Sequence, residues 1–385
     1  MTTREVTWAE AVARRLERQG LAAPATSSPA GITAAMLGAH AQVLSAAEMS
    51  VALRLAGGAT RATVREALWT DGSLVKTYGP RGTVHLLPSA DLPLWTGALS
   101  AIPAGASPMP QELRLTAEQT DQIVAAIGDA LAGAELTIDE LTEAIVERTG
   151  PWARYPGFDA FQGEWPRWRQ VMHTAAHRGV LRFAPNRGRK ATYTSPAVTP
   201  MDGPAASAAL VERYLYAYGP ATPQHFAKWL SAPKGWAGGL FEALAGEERI
   251  EEVAFEGAPA FVVAGDNGFP ADPPRGVRLL PYFDAYAIAS QPRERLFAGR
   301  AYERALARGQ AGNFPVLLVD GVVSGVWHQR RTGRRIAVTV EPIDARTLRP
   351  ASVRRALEEQ VARVGEILEG TATLTVGEVT VGAHA

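Results

Sequence analysis

Residues 31–55 read GITAAMLGAHAQVLSAAEMSVALRL, and the fold is decided by how this stretch is divided. Ile32, Met36 and Leu37 recur at helical spacing, and His40 follows three and four residues on, so the spacing predicts a helix ending at His40. On a continuing helix His40 and Gln42 would point about 200° apart, at about 100° per residue. They face one target only if the helix stops between them. Ser45-Ala46-Ala47-Glu48 reads as a capping box opening a new helix, which sets the pair at a helix-to-helix corner where polar side chains reach out of a packed element. Taken alone, a histidine closing an apolar stripe is more often a hydrogen-bonded structural residue than a site.

Outward from that stretch a unit takes shape. A helix over 46–55 carries Met49, Ala52, Leu53 and Ala56 on its stripe, and a helix over 61–69 is capped by Thr60. Strands over 74–78 and 83–87 flank the turn Gly79-Pro80-Arg81-Gly82. Upstream, Thr7-Trp8-Ala9-Glu10 is a capping box that opens an amphipathic helix, followed by a Pro/Ala/Ser linker from Gly20 to Gly31. The pattern of three helices and a hairpin returns twice. Thr116-x-x-Gln119 and Thr137-x-x-Glu140 open helices, a third helix runs over 165–178, and strands over 180–184 and 191–194 follow. Helices over 208–218, from Thr222-Pro223, and over 234–245 then lead to strands over 250–255 and 259–264. The repeat is one of pattern and not of identity, and the pattern is that of a winged helix. After the linker 270–274 come short strands and one long helix over 350–369, a compact β-rich domain resembling a small barrel with one covering helix. The expected architecture is α+β: winged-helix units over 1–105, 106–202 and 203–270, then a β-barrel-like domain over 271–385.

Bulk properties narrow the function. The 39 basic and 39 acidic side chains cancel, so a whole-chain polyanion binder is not indicated. There is no cysteine, which excludes disulfides, thiol nucleophiles and cysteine-ligated metal sites and fits a cytoplasmic protein. No apolar run approaches ~18 residues, so no membrane partner is expected. Glu5, Glu10 and Glu17 break up the N-terminus too early for a signal peptide.

The charge is not evenly spread. Between Trp165 and Pro200 there is no acid, while Arg167, Arg169, Arg178, Arg182, Arg187, Arg189 and Lys190 give +7. This window is the third helix and hairpin of the middle unit, the parts a winged helix presents to DNA. A second basic tip holds Arg330, Arg331, Arg334 and Arg335. Two such tips beside three winged-helix patterns favour nucleic acid over a merely solvated face. His173 and His177 share a helix face, but no third ligand accompanies them, so no metal is expected. No phosphate-binding glycine loop, dinucleotide fingerprint or nucleophile elbow is present, and no cofactor is implied. Asp284, among aromatics in Pro281-Tyr282-Phe283-Asp284, reads either as a buried structural anion or as a site residue.

Four stretches resemble the AlkZ-type winged-helix DNA glycosylase family, and they occur in its order along nearly the whole chain. They are Leu37-Gly38-Ala39-His40-Ala41-Gln42, Arg81-Gly82-Thr83-Val84-His85-Leu86-Leu87, Leu280-Pro281-Tyr282-Phe283-Asp284-Ala285-Tyr286, and 319–327. The resemblance implies a basic, DNA-sized concavity framed by three winged helices and a small β-barrel, C-shaped in outline. It also implies a catalytic motif, Gln-x-Gln or Gln-x-Asp in the family, at His40-x-Gln42. Here histidine replaces the first glutamine.

The chemistry can be written from first principles. Alkylation at N7 makes a purine cationic and a good leaving group, and the C1′–N bond breaks through an oxocarbenium-like sugar. The enzyme then has to place a water below C1′ and stabilise positive charge. Gln42 would orient that water, and neutral His40, at an ordinary pKa near 6.5, would accept its proton. Loss of excision at acid pH is the expected signature. No lysine is placed by the motif for a Schiff base, so a monofunctional enzyme is expected. Alternation along the hairpin puts His85 outward, and Lys76, Arg81 and His85 are assigned with Arg178, Arg187, Arg189 and Lys190 to DNA contacts. The expected partner is double-stranded DNA carrying bulky N7-alkylpurines, crosslinks included, made by a DNA-alkylating natural product, and the expected state is a monomer. The competing readings are a DNA-binding regulator without catalysis and a protein that sequesters adducts without cutting them.

Overall fold

The computed structural model describes residues 4–105, 107, 109–160 and 163–382. The opening stretch folds differently from its apolar spacing. The helix is Pro29–Ala35, capped by the Ser28 hydroxyl, which accepts from the Gly31 N–H. It stops short of His40 because Leu37 and Gly38 take positive φ, 57° and 90°. Gly38 is required there, since a Cβ would lie 2.7 Å from the Leu87 side chain. Beyond this turn the chain is extended, and Ala39–His40 pairs antiparallel with Val84–Pro88, His40 opposite His85.

The capping box expected at Ser45 does not form. Helix Leu44–Ala52 follows Val43, which makes no side-chain cap. Glu48 is buried and reaches Arg61 at 2.5 Å and Arg65 at 2.7 Å, tying this helix to Arg61–Trp69. A carboxylate withdrawn from water needs such partners, and that requirement overrides its use as a cap. Val84–Pro88 is the middle strand of the first sheet, with Leu74–Tyr78 on its other side.

The second assembly is Ala117–Leu131 and Ile138–Thr149, each opened by the expected capping box, then a 3-10 turn over Arg167–Val171 running into Met172–His177. Its sheet joins Glu135–Thr137, Lys190–Thr194 and Arg182–Arg187. Phe158–Ala160 and Gly163–Trp165 add a small antiparallel strand pair.

The third assembly holds Gly203–Tyr218, Pro223–Leu230 and Lys234–Gly246, with hairpin Ile250–Phe255 and Ala258–Val263. Its third strand comes from the far end of the chain: Glu5–Val6 pairs in parallel with Ala254 and Phe255. The helix Trp8–Arg18 follows it there. Buried Arg15 donates to the carbonyls of Gly219, Pro220 and Gln291. The N-terminal segment is therefore built into the third assembly.

The last region is a five-stranded sheet in chain order: Val277–Leu280, Val316–Val319, Val322–Thr332, Arg335–Pro342 and Thr371–Val376. The final pair is parallel, because helix Ala351–Ile367 crosses over between the two strands. That helix buries Leu357, Val361, Val364 and Ile367. One core joins the first and second assemblies to this sheet, and another joins helix Leu92–Ser100 to the third assembly. Apolar packing thus runs across the unit junctions, and grooves form where packing ends. Among the described residues no helix is long and apolar enough to cross a membrane.

Candidate active site

His40 and Gln42 do converge, through a strand and not through a helix corner. The extended backbone continues at Ala41, whose N–H donates to Val84 O at 2.7 Å. Residues two apart on an extended chain share a side. Both line a cavity of about 580 Å³ between the first assembly, the end of helix Pro223–Leu230 and the segment from Phe283 to Asn313. Gln42 is exposed to it, whereas His40 is only 7% exposed.

The histidine is held by rings. Phe283 lies 4.5 Å from it, centroid to centroid, and His85 stands edge-on at 5.0 Å. Phe283 reaches this place on a left-handed turn, φ 56°, with its N–H donating to Gly312 O at 2.9 Å. Asp284 fastens that turn from behind. Its carboxylate takes two hydrogen bonds from buried Arg54, at 2.7 and 2.8 Å, and one from the Ser50 hydroxyl at 2.6 Å. It also caps Ala285–Ala289 through the Tyr286 N–H. Asp284 is therefore a buried anchor between the first assembly and the C-terminal region, and it does not line the cavity.

Burial, reinforced by the Arg81 guanidinium, lowers the His40 pKa to about 3. The ring stays neutral through the physiological range, which corrects the expectation of a group titrating near 6.5. Its Nδ1 is buried without a hydrogen-bond partner among the described residues. A neutral imidazole offers one N–H and one acceptor nitrogen. With the Gln42 amide beside it, the pair can hold and orient a water. So weak a base supplies orientation and an acceptor more than proton-abstracting strength. Arg81, Lys228 and Arg293 also line the cavity, and among the described residues no Asp or Glu does. Such a wall attracts a polyanion and has no carboxylic acid to protonate a leaving group.

The other expected contacts separate. Arg81, on the Pro80–Gly82 turn at φ 62°, joins the pair and donates to Trp229 O at 2.8 Å. His85 is not outward. It is 4% exposed, and its Nδ1 lies 2.9 Å from Thr83 O. Alternation fails there because Val84–Pro88 is covered on both faces, and every residue of the strand is buried. Lys76 is half-buried, its ammonium 4.5 Å above the Phe183 ring, between the first two assemblies. Arg178, Arg187, Arg189 and Lys190 are exposed and away from the pair. Asp121 lies 2.6 Å from Arg178, Glu140 pairs with Arg187, and Asp139 is 2.5 Å from Lys190. The acid-free window is thus partly neutralised by acids from neighbouring helices. His173 and His177 stand edge-on at 5.8 Å, and His177 Nε2 lies 3.3 Å from Gly79 O.

Three participants escape sequence reasoning. Lys228 and Arg293 are single cations far apart in the chain, and no local signal marks their convergence. Phe283 was visible as part of an aromatic motif, but not as the lid on His40.

The cavity thus brings a neutral histidine and a glutamine together with three cations on a mixed α/β fold. The family model for AlkZ-like DNA glycosylases matches residues 33–367, and the chain belongs to that family. An interstrand DNA cross-link repair glycosylase of Streptomyces sahachiroi is 32% identical over 340 residues, 84% of this chain and 88% of the relative. The solved structure of the Streptomyces sahachiroi DNA glycosylase AlkZ matches this fold with a TM-score of 0.82 at 28% identity, covering 97% of this chain and all of that one.

Proposed function

We propose that this protein hydrolyses the N-glycosidic bond of bulky N7-alkylpurines in double-stranded DNA, interstrand crosslinks included, as a defence against a DNA-alkylating natural product. The observation that carries the reading is His40 and Gln42 side by side on a cationic, carboxylate-free wall. A cationic N7-alkylpurine leaves without protonation, so the missing acid costs nothing. A neutral His40 does not repel the oxocarbenium-like sugar, and Gln42 aligns the water. We read the three helical assemblies with their sheets as winged helices and the C-terminal sheet as a barrel-like domain, together cradling the duplex as a monomer. Arg178, Arg187, Arg189 and Lys190 are taken as contacts on its outer rim.

The test is release of free base, followed by chromatography, from duplexes carrying N7-alkylguanine or an N7 crosslink. His40→Ala and Gln42→Ala should abolish release while keeping duplex affinity within about threefold of the parent. Unchanged release would return His40 to a packing role. Reaction by hydrolysis alone predicts an intact abasic strand and no protein–DNA adduct on borohydride treatment. An adduct lost in Lys228→Ala would make the enzyme bifunctional.

A further inference from the structure

Three cavities meet at one residue. Ser231, the left-handed cap of helix Pro223–Leu230 at φ 59°, lines all three. The cavity of His40 and Gln42 shares Arg81 and Ser231 with one of about 470 Å³, which runs to His173 and Arg178 of the second assembly. On its other side it shares Lys228, Ser231 and Gln291 with one of about 500 Å³, which runs to Lys234. Shared lining makes these one groove with the catalytic pair at its middle.

The groove's charge is lopsided. Arg81, Lys228, Lys234 and Arg293 line it, against one carboxylate among the described lining residues, Glu294; Arg178, at the far end, is already paired with Asp121. Arg81 and Arg293 donate only to carbonyls, which leaves their charge uncancelled. Lys228 and Lys234 are exposed and make no ion pair among the described residues. Partial burial and then the neighbouring Arg293 guanidinium lower the Lys228 pKa, and Glu294 offsets this only in part.

We propose that this groove is the track of the damaged DNA strand, with Lys228 and Lys234 of the third assembly holding phosphates on one side of the lesion and the Arg81–His173 end holding the backbone on the other. The proposal rests on the glycosylase reading and adds to it the strand path and the residues that set it. The middle assembly's basic hairpin then lies off this path. The occupant is a phosphodiester backbone because the groove offers separated point charges along its length, and lysine binds phosphate as a point charge.

The experiment measures binding of the parent and of a Lys228→Ala/Lys234→Ala double variant to a duplex with one tetrahydrofuran abasic-site analogue, across a salt series. Each lost phosphate contact lowers the slope of log affinity against log salt by about one, so the double variant should lose about two, with at least tenfold weaker binding near 0.1 M salt. Lys228→Arg/Lys234→Arg should restore the slope. Both lysines are exposed, so the fold should persist, and circular dichroism checks it. A parent that releases base while the double variant keeps its slope and affinity overturns the track and spares the glycosylase reading. A parent that binds no duplex overturns both.

Discussion

Two buried polar groups stand on either side of Phe283, and they are treated in opposite ways. Asp284 is fully satisfied, with Arg54, Ser50 and the Tyr286 N–H all donating to it. His40 is nearly as buried, yet its Nδ1 has no partner among the described residues and burial holds the ring neutral. A satisfied buried charge fixes structure, whereas an unsatisfied buried nitrogen is retained at an energetic cost and calls for a ligand that structure alone does not supply. The contrast separates the anchor from the site although both lie in family-like motifs.

That contrast can be broken most severely at the anchor. Asp284→Ala leaves the Arg54 charge buried and unpaired, and chemical denaturation should show a loss of about 3–5 kcal/mol. At the site the effect should fall on rate and not on stability. Gln42→Ala, exposed and away from any core, should lower single-turnover base release by about 10²–10³-fold, with the denaturation midpoint little changed.

Acid should sharpen the comparison. The folded pKa of His40, about 3, lies below its unfolded value near 6.5, so between these limits the unfolded chain binds the extra proton. The stability contributed by the neutral ring is complete above about pH 6.5 and is lost as pH falls. Relative to His40→Gln, the parent should lose up to about 1.4 kcal/mol per pH unit below about 6.5, read from denaturation at several pH values. Base release measured where the protein stays folded should show no His40 titration between about pH 5 and 8. A step near 6.5 that vanishes in His40→Gln would restore the general-base role. The smallest effect belongs to the outer hairpin. Arg187 and Glu140 are both half exposed, so Arg187→Ala should cost at most about 1 kcal/mol of stability.

Local signals were legible and convergent ones were not. The capping boxes at Thr7, Thr116 and Thr137 and the cap at Thr222 open helices where their side chains say they should, because a cap is decided within four residues. Ser45-x-x-Glu48 has the same letters and fails, because Arg61 and Arg65 claim the glutamate from another helix. The pair His40 and Gln42 was found, but its strand was hidden behind an apolar stripe that Leu37 and Gly38 cut short. Counting charge along 165–200 found a basic surface and missed the acids that face it. The cations of the groove, Lys228 and Arg293, sit in unremarkable sequence and acquire meaning only when the assemblies close on one another.

The pairing of Glu5–Val6 with the third hairpin bears on the order of assembly during synthesis. Glu5 and Val6 are made long before their partner edge at Ala254 and Phe255, so this clasp closes only after the helices between them exist. Until then the helix that follows, with buried Arg15 and its waiting carbonyl acceptors, has nowhere to dock. The third assembly, and with it the lysines beside His40 and Gln42, is completed by a segment made well before it.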